Sequence, residues 1–238
     1  MNILIGAATP REMQALAPSF FPTADAIPEM QPIRAQLKNA TGIFIVTGVG
    51  IINTALALGY CLGLSFEKDK PAVDAILFAG LAGAFDLNVT PLTTIWQINE
   101  EIWPEYGLHD GSTVTARAFS HPLWKMPDGA TIYDKVNLAS VSSIAGPEKV
   151  DIFPQCSALT VAGVSASFNR REKLWNQYHA PLENMEGFAA AYTALRAEIA
   201  CVEIRSVSNK VGPRSREEKD FDGALKALNE ILPSLNLV

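Results

Sequence analysis

Two segments of the sequence are the most informative about its architecture: Leu-Glu-Asn-Met-Glu-Gly at 182–187 and Cys-Val-Glu-Ile-Arg-Ser-Val-Ser-Asn-Lys at 201–210. The first segment leads into an apolar helix predicted over 186–198, and the second contains a strand predicted over 201–207. Glu186 and Asn209 are polar residues in surroundings that are otherwise apolar and small. Because burying a charge or an amide is costly unless the group is paired, we predict that both side chains are paired or belong to a site.

The composition limits what kind of protein this sequence encodes. The 238 residues are 48% hydrophobic and 18% charged, which suits one large core, so we expect a single α/β domain over 1–238. The formal net charge is -6 and the sequence pI is about 5.1. An acidic chain without a basic stripe is poorly suited to a phosphate backbone, so we expect a small-molecule ligand and no nucleic acid.

Cysteine usage and the N-terminal segment indicate the compartment. Three cysteines lie far apart with no paired spacing: Cys61, Cys156 and Cys201. This spacing predicts neither a disulfide framework nor a thiolate metal site. His109 and Asp110 are adjacent, but no further histidine or cysteine recurs at ligand spacing, so we expect no bound metal. The apolar run at 1–6 is too short for a signal peptide or a membrane span, and we expect a cytoplasmic protein without a membrane partner.

The N-terminal segment predicts a buried strand over 2–8 followed by a capped helix. Thr9 suits the N-cap, Pro10 the first helical position, and Glu12 the first turn, where the helix dipole favours a negative charge. Glu12 is either an acid that supports the helix end or a member of a site, and this segment alone leaves both readings open.

Apolar runs and helical patterns alternate along the rest of the chain. Strands are predicted over 42–47, 73–79, 94–98 and 157–165. Helices are predicted from Gly50 to about Ser65, from an Asn169/Glu172 capping box to about Tyr178, and over 221–235. This alternation is typical of a mixed, mostly parallel sheet flanked by helices.

Small residues follow two of the predicted strands. Gly80, Ala82 and Gly83 come after the strand over 73–79, where they either let a ligand approach backbone N–H groups or serve close packing alone. Gly-Val-Gly at 48–50 lacks a third glycine, because Asn53 occupies that position, and therefore predicts a tight turn and not a dinucleotide site.

Several other side chains are candidates. Phe168 stands at a strand-to-helix junction, where an aromatic ring either joins the core or stacks on a planar base. Glu203 and Arg205 are two apart in a strand and so share one face, where we expect them to pair with each other or with a neighbouring subunit. Arg214 and Arg216 lie in a polar loop predicted over 211–219.

Four segments together resemble the nucleoside phosphorylase superfamily, on its purine nucleosidase branch: Gly-Ala-Ala-Thr-Pro-Arg-Glu at 6–12, Gly-Leu-Ala-Gly at 80–83, Asn-Met-Glu-Gly at 184–187 and Ile-Arg-Ser-Val-Ser-Asn at 204–209. Their order and spacing agree over nearly the whole chain. Glu-Tyr-Gly-Leu-His-Asp-Gly at 105–111 and Gly-Pro-Arg-Ser-Arg-Glu at 212–217 are most similar to the futalosine hydrolases, a family of the alternative menaquinone pathway. The resemblance implies an N-glycosyl hydrolase without metal or organic cofactor. It also implies a homo-oligomer, and the helix after Gly50 would suit its interface.

The resemblance also implies roles for individual residues. Glu12 would position the attacking water, Glu186 would hold the ribose hydroxyls, Met185 would contact the ribose, and Phe168 would stack on the base. Asn209 stands where methylthioadenosine nucleosidases have an aspartate that gives a proton to N7 of the departing adenine.

The chemistry of Asn209 bears on the choice of base. Cleaving an N-glycosidic bond places positive charge on the ribose and negative charge on the base. An asparagine amide can donate a hydrogen bond but cannot supply a proton. A 6-oxopurine needs less help, because the charge spreads onto O6, so Asn209 favours hypoxanthine, the base of futalosine. Arg214 or Arg216 either meets the benzoate carboxylate of futalosine or is solvated.

Two alternatives stay open. In the first, the protein uses the same scaffold to hydrolyse methylthioadenosine, S-adenosylhomocysteine or aminofutalosine, which Asn209 argues against. A non-catalytic nucleoside-binding module is the other, and the joint presence of Glu12, Glu186 and Asn209 argues against it. The run at 76–83 contains no cationic residue, which favours water over phosphate as the attacking group.

Overall fold

The computed structural model describes residues 1–64, 72–111, 113–149 and 152–238, with the side chains of Leu64 and Phe119 left aside. The helices are α1 (Pro10–Leu16), α2 (Ile51–Leu64), α3 (Ser142–Ala145), α4 (Phe168–Tyr178), α5 (Gly187–Arg196), α6 (Phe221–Leu228) and α7 (Ile231–Ser234). The strands are β1 (Asn2–Ala7), β2 (Ile33–Gln36), β3 (Thr41–Val46), β4 (Ala75–Ala84), β5 (Ile95–Ile102), β6 (Leu108–His109), β7 (Val114–Thr115), β8 (Trp124–Lys125), β9 (Thr131–Ile132), β10 (Lys135–Asn137), β11 (Gln155–Thr160), β12 (Leu182–Asn184) and β13 (Ala200–Lys210).

The main sheet is mixed and closes on itself. Strand β4 pairs with β13, β13 with β5, β5 with β11, β11 with β12, and β12 again with β4. Strands β1, β3 and β2 extend the sheet from β4, and β10 extends it from β5. Parallel pairs outnumber antiparallel pairs only narrowly, so the predicted mixed α/β sheet is confirmed with a larger antiparallel share than expected.

Strand β4 is the centre of this sheet and has three partners. Strand β13 follows one of its edges from Ala75 to Ala84. On the other edge, β1 pairs with residues 75–78 and β12 pairs with residues 83–84. The two partners of that edge therefore separate between Phe78 and Gly83. Among the described residues, this stretch of the β4 edge therefore has no neighbouring strand on that side.

Helices cover both faces of the sheet. On β1, Ile3 and Ile5 face a core shared with Met13 of α1 and Leu228 of α6, whereas Leu4 faces the opposite core with α2 and α5. This alternation follows from the two-residue period of a strand. Helices α1 and α6 contact each other on the face of the sheet to which Ile3 and Ile5 point.

Two predicted element boundaries are wrong for local reasons. Helix α4 begins after Ser167, whose hydroxyl accepts from the Arg170 backbone N–H at 3.2 Å, so the cap is Ser167 and not Asn169. The helix predicted over 221–235 is interrupted at residues 229–230. Proline at 233 has no N–H to donate, and its ring clashes with the carbonyl four residues earlier.

The strands also differ in length from the prediction. Strand β4 continues through Gly80 to Ala84, so the small residues lie within it and not after it. Strand β5 extends to Ile102, and β11 ends at Thr160 where a bend begins. Residue 65, the predicted end of the second helix, lies outside the described residues, as do residues 112 and 150–151.

Candidate active site

A cavity of about 410 Å³ opens where β1 and β12 separate along β4. Its volume lies within the range of small-molecule sites, about 300 to 1,000 Å³. The cavity brings together six of the residues expected from the sequence: Glu12, Ala82, Gly83, Met185, Glu186 and Asn209. It also collects residues that were not among the expected substrate contacts, namely Ala8, Thr9, Arg11, Val49, Leu81, Val164, Glu183, Asn184, Ser208, Phe221 and Leu225.

Glu12 is held at the start of α1 by two hydrogen bonds to its carboxylate. Thr9 is the N-cap as predicted, and its hydroxyl donates to Glu12 Oε2 at 2.7 Å. The backbone N–H of Leu81 donates to Glu12 Oε1 at 3.0 Å from the split edge of β4. Burial raises the pKa of Glu12 above its ordinary value, although both hydrogen bonds oppose the shift. Glu12 is therefore a fixed carboxylate that takes up a proton more readily than an exposed glutamate.

Glu186 bridges the two sides of the crevice. Its Oε1 accepts from the backbone N–H of Gly50 at 3.0 Å, and its Oε2 lies 3.4 Å from Arg205 Nη1. Gly50 has a φ of +94°, a conformation that favours glycine, and this turn directs its N–H toward the carboxylate. The apolar segment after Gly50 is thus tied to the start of α5 through Glu186.

Asn184, and not Glu186, caps helix α5. Its Oδ1 accepts from the backbone N–H groups of Glu186 at 2.9 Å and Gly187 at 2.8 Å. Glu186 occupies the N-cap position but makes no side-chain cap bond. Because Asn184 satisfies the first N–H groups of the helix, the carboxylate of Glu186 is left to face the cavity.

Arg205 is the residue of this site that sequence reasoning undervalued. It is completely buried, and its Nε donates to Glu203 Oε1 at 2.7 Å, which confirms the predicted pairing within the strand. Its Nη1 also donates to the carbonyl of Leu81 at 3.2 Å. Arg205 therefore fixes the positions of Glu186 and of the β4 backbone relative to each other, a contact between segments that strand spacing alone does not reveal.

Glu101 is a further buried acid that interacts with Arg205. Glu101 Oε2 accepts from the Thr160 hydroxyl at 2.6 Å, and its Oε1 accepts from Asn184 Nδ2 at 2.6 Å. Burial and the neighbouring Glu203 carboxylate raise the pKa of Glu101 well above its ordinary value. One arginine thus faces three glutamates, and the raised pKa of Glu101 favours its protonated form compared with an exposed glutamate, which lowers the repulsion within the cluster.

Two glycines are required by this crowding. A Cβ at residue 80 would lie 2.8 Å from Glu12 Oε1 and 2.9 Å from Arg205 Nη1. A Cβ at residue 187 would overlap the carboxylates of Glu101 and Glu203. Gly80 therefore supports the site by leaving room for Glu12 and Arg205, and it is not itself among the residues that line the cavity.

Asn209 lies where the pairing of β13 with β4 shifts register after Val207. Its Nδ2 donates to the carbonyl of Lys210 at 2.8 Å, and its Oδ1 lies 3.0 Å from the Ser208 hydroxyl. A primary amide has two N–H bonds, so one remains for a ligand in the cavity. The single O–H of Ser208 can donate either to this amide oxygen or to the carbonyl of Ala82, which lies 3.2 Å away.

A further acid, Glu183, holds the segment 161–167 beside the cavity. The backbone N–H of Ser165 donates to Glu183 Oε1 at 2.9 Å, and the Ser165 hydroxyl donates to Oε2 at 2.6 Å. Arg170 Nε lies 3.2 Å from the same hydroxyl, and Arg170 forms an ion pair with Glu105 at 2.6 Å. Val164, which is half exposed and lines the cavity, is positioned by this network.

Besides Gly80, three expected residues lie away from the cavity lining. Phe168 begins α4 with 62% of its surface exposed and is not among the lining residues. Arg214 and Arg216 are exposed in the segment after β13. Their predicted contacts with a base and a carboxylate therefore have no support in the arrangement of the described side chains.

The structure also bears on the expectations for metal ligands, membrane-spanning helices and cysteines. Within the described ranges, no cluster of three or more histidine, cysteine, aspartate or glutamate side chains is arranged to hold a metal ion. None of the helices in that part of the chain is both long and apolar enough to cross a bilayer. The three cysteines are buried thiols.

Comparison with known proteins identifies the fold. A model of the phosphorylase superfamily matches residues 137–234. A 5'-methylthioadenosine/S-adenosylhomocysteine nucleosidase of Helicobacter pylori superposes with a TM-score of 0.72 at 17% identity, over 99% of this chain and 97% of that one. The C-terminal part of the chain, over residues 137–234, is therefore similar to the phosphorylase superfamily. The predicted fold, with its mixed sheet and flanking helices, is confirmed.

Three further proteins to which the chain is similar are futalosine hydrolases. A futalosine hydrolase mutant of Helicobacter pylori has a TM-score of 0.70 at 17% identity, over 99% of this chain and 98% of that one. The futalosine hydrolase of Thermus thermophilus is 27% identical over 81% of this chain and 80% of its own length. That of Acidothermus cellulolyticus is 31% identical over 53% of this chain, and the match spans 46% of that relative's length.

Proposed function

We propose that this protein hydrolyses the N-glycosidic bond of a purine nucleoside, with futalosine as the substrate and hypoxanthine as the released base. The observation that carries the proposal is the convergence of Glu12, Glu186 and Asn209 on one cavity from α1, the start of α5 and β13. Similarity to the futalosine hydrolases supports the choice of substrate.

Glu12 supplies the base in this proposal. A water molecule beside its carboxylate attacks C1′ of the ribose, its proton passes to Glu12, and the C1′–N9 bond breaks with its electron pair moving to the purine. The hypoxanthine anion then takes up a proton from solvent, and Glu12 returns its own proton to solvent. A general base works best when its pKa lies near the working pH. The raised pKa of buried Glu12 meets that requirement better than an exposed glutamate would.

Glu186 and Asn209 address the sugar and the base. The Glu186 carboxylate accepts hydrogen bonds from the ribose hydroxyls and stabilises the positive charge that develops on the ring. The remaining N–H of Asn209 donates to N7 or O6 of hypoxanthine, whose negative charge spreads onto O6. An amide at this position cannot protonate adenine, so adenine nucleosides are the poorer substrates.

The test compares substrates in parallel. Purified protein is incubated with futalosine, inosine and methylthioadenosine, and the free base is measured by chromatography. We expect hypoxanthine from futalosine at a higher kcat/KM than adenine from methylthioadenosine. Faster release of adenine would instead support a methylthioadenosine nucleosidase, and binding without any release of base would support a non-catalytic module.

Water is the proposed attacking group because phosphate needs several cations. Among the described residues that line the cavity, Arg11 is the one cation with an exposed side chain. We expect the same rate in phosphate-free buffer as in phosphate, with free sugar as the second product. A rate that depends on phosphate and yields a sugar phosphate would exclude the hydrolytic assignment.

The cellular setting follows from the same proposal. A futalosine hydrolase would act in menaquinone biosynthesis, and buried thiols at Cys61, Cys156 and Cys201 are compatible with the reducing cytoplasm.

We also propose a homo-oligomer that covers the exposed apolar side chains of α2, among which Ile52 is 83% exposed and Leu56 61% exposed. Sedimentation of the purified protein as a monomer at micromolar concentration would contradict the oligomer.

A further inference from the structure

Arg11 lies at the mouth of the cavity and has no part in the proposed bond cleavage. We propose that Arg11 recognises an anionic group at the 5′ end of the nucleoside, so that the site selects substrates whose 5′ substituent ends in a carboxylate. This assignment rests on the proposed nucleosidase activity and specifies the substrate class for the same site.

The position of Arg11 on α1 separates it from the reacting atoms. It directly precedes Glu12, whose carboxylate is buried against β4, yet the side chain of Arg11 is 71% exposed. Successive helical residues point about 100° apart, because a turn contains 3.6 residues. A ligand that reaches Glu12 with its ribose therefore needs a further extension to reach Arg11.

The present partner of Arg11 is easily replaced. Its Nη2 lies 3.5 Å from Asp222 Oδ1, which is longer than a normal hydrogen bond, and the Asp222 side chain is 85% exposed. Exposed ion pairs of this kind contribute little to stability, because water solvates both charges. A ligand carboxylate can take the place of Asp222 and form a bidentate contact with the guanidinium.

The wall beside Arg11 suits an apolar connection between ribose and carboxylate. Phe221 and Leu225 lie four residues apart on α6, so they share one helix face, and both line the cavity. Val49 lines it as well and is 48% exposed. An aromatic or aliphatic linker packed on these side chains would remove their apolar surface from water. The benzoate of futalosine has both parts, an aromatic ring and a terminal carboxylate.

The other basic residues near the site are already engaged or lie elsewhere. Arg205 is buried against Glu203 and Glu186, and Arg170 is paired with Glu105. Arg214 and Arg216, the sequence-based candidates for this carboxylate, do not line the cavity.

The acidic side chains of the cavity also favour Arg11. Glu12, Glu183 and Glu186 would repel a carboxylate placed deep inside. An anionic group is therefore best accommodated at the mouth, where Arg11 stands.

The experiment uses two substrates that differ only in charge, futalosine and its carboxamide. For the wild-type protein we expect kcat/KM at least about tenfold higher for the acid, through KM, since a charge-assisted pair is roughly twice as strong as a neutral hydrogen bond. Arg11→Gln should abolish this preference by raising KM for the acid, with the carboxamide unchanged. Arg214→Gln and Arg216→Gln serve as matched controls that keep the preference. Asp222→Asn removes the competing carboxylate and should leave the preference equal or larger.

The outcomes separate this assignment from the proposed function. Retention of the acid preference in Arg11→Gln, or its absence in the wild type, would overturn the role of Arg11 while leaving the nucleosidase activity intact. Cleavage of neither compound would contradict the proposed function. In that case calorimetric binding of the two compounds decides, and equal affinity for acid and carboxamide overturns the role of Arg11.

Discussion

Glu12 links the burial of one carboxylate to the pH dependence of the reaction. As a base it must be ionised, and its pKa lies above the 4.5 of an ordinary glutamate because of desolvation. We therefore predict that kcat/KM falls as the pH decreases, with an inflection above 4.5. Glu12→Gln should lower kcat by roughly 10²- to 10⁴-fold, the usual contribution of a general base. Glu172→Gln, an exposed change on α4, is the control that keeps full activity.

The amide of Asn209 bears on which purine base the protein releases. Asn209→Asp places an acid where the amide now lies, so a proton becomes available for N7 of adenine. We predict that the ratio of kcat/KM for futalosine to that for methylthioadenosine falls by about tenfold or more. Asn209→Ala should reduce both substrates together. An unchanged ratio in the aspartate variant would mean that residue 209 does not choose the purine.

At the scale of elements, the segment 161–167 depends on a strand that follows it in the chain. Glu183 of β12 holds Ser165 by two hydrogen bonds, and bonds to a charged group typically contribute about 1.5–3 kcal/mol. Glu183→Ala should therefore loosen the segment, raise KM for the nucleoside more than it lowers kcat, and speed amide hydrogen exchange at 163–167. Wild-type exchange in that variant would show that the segment is held by other contacts. Ser165→Ala, which removes one bond of the two, should have an intermediate effect.

Local sequence signals predicted the elements better than their ends. Thr9, Pro10 and Glu12 fix the start of α1 through contacts within four residues, and the structure has them as expected. The start of α4 was placed two residues late, because Ser167 and Asn169 are both good caps and only tertiary packing decides between them. Strand β5 was cut short because Glu100 and Glu101 look like surface residues in the sequence, although Glu101 is completely buried.

At the scale of the whole molecule, the buried acids tie stability to pH. The pKa of Glu101 is raised in the folded state. The contribution of Glu101 to the free energy of unfolding is therefore fully present below its pKa in the unfolded chain, and it is lost as the pH rises through its pKa in the folded protein. We predict that the melting temperature falls on the alkaline side and that Glu101→Gln, which mimics the protonated acid, reduces this fall. Each 1 kcal/mol corresponds to about 2–4 °C in a protein of this size. Glu100→Gln on the same strand should leave the pH dependence unchanged.

The assembled site was predictable in its parts but not in its connections. Glu12, Glu186 and Asn209 were identified from the sequence, and they line one cavity. The contact of Arg205 with Glu186 and the capping of α5 by Asn184 were not, because they depend on where β13 and β12 join the sheet. Arg11 was passed over for Arg214 and Arg216, since exposure and position relative to the cavity are properties of the packed molecule.

The insertion of β13 between β4 and β5 also sets a constraint on biosynthesis. A chain emerging from the ribosome makes both neighbouring strands long before residues 200–210 appear, so one edge of each has no native partner in the meantime. Unpaired edges of apolar strands are prone to join other chains. The strand that carries Arg205 and Asn209 therefore also closes the sheet against aggregation, and a chaperone that shields β4 and β5 would have to remain bound until that strand is translated.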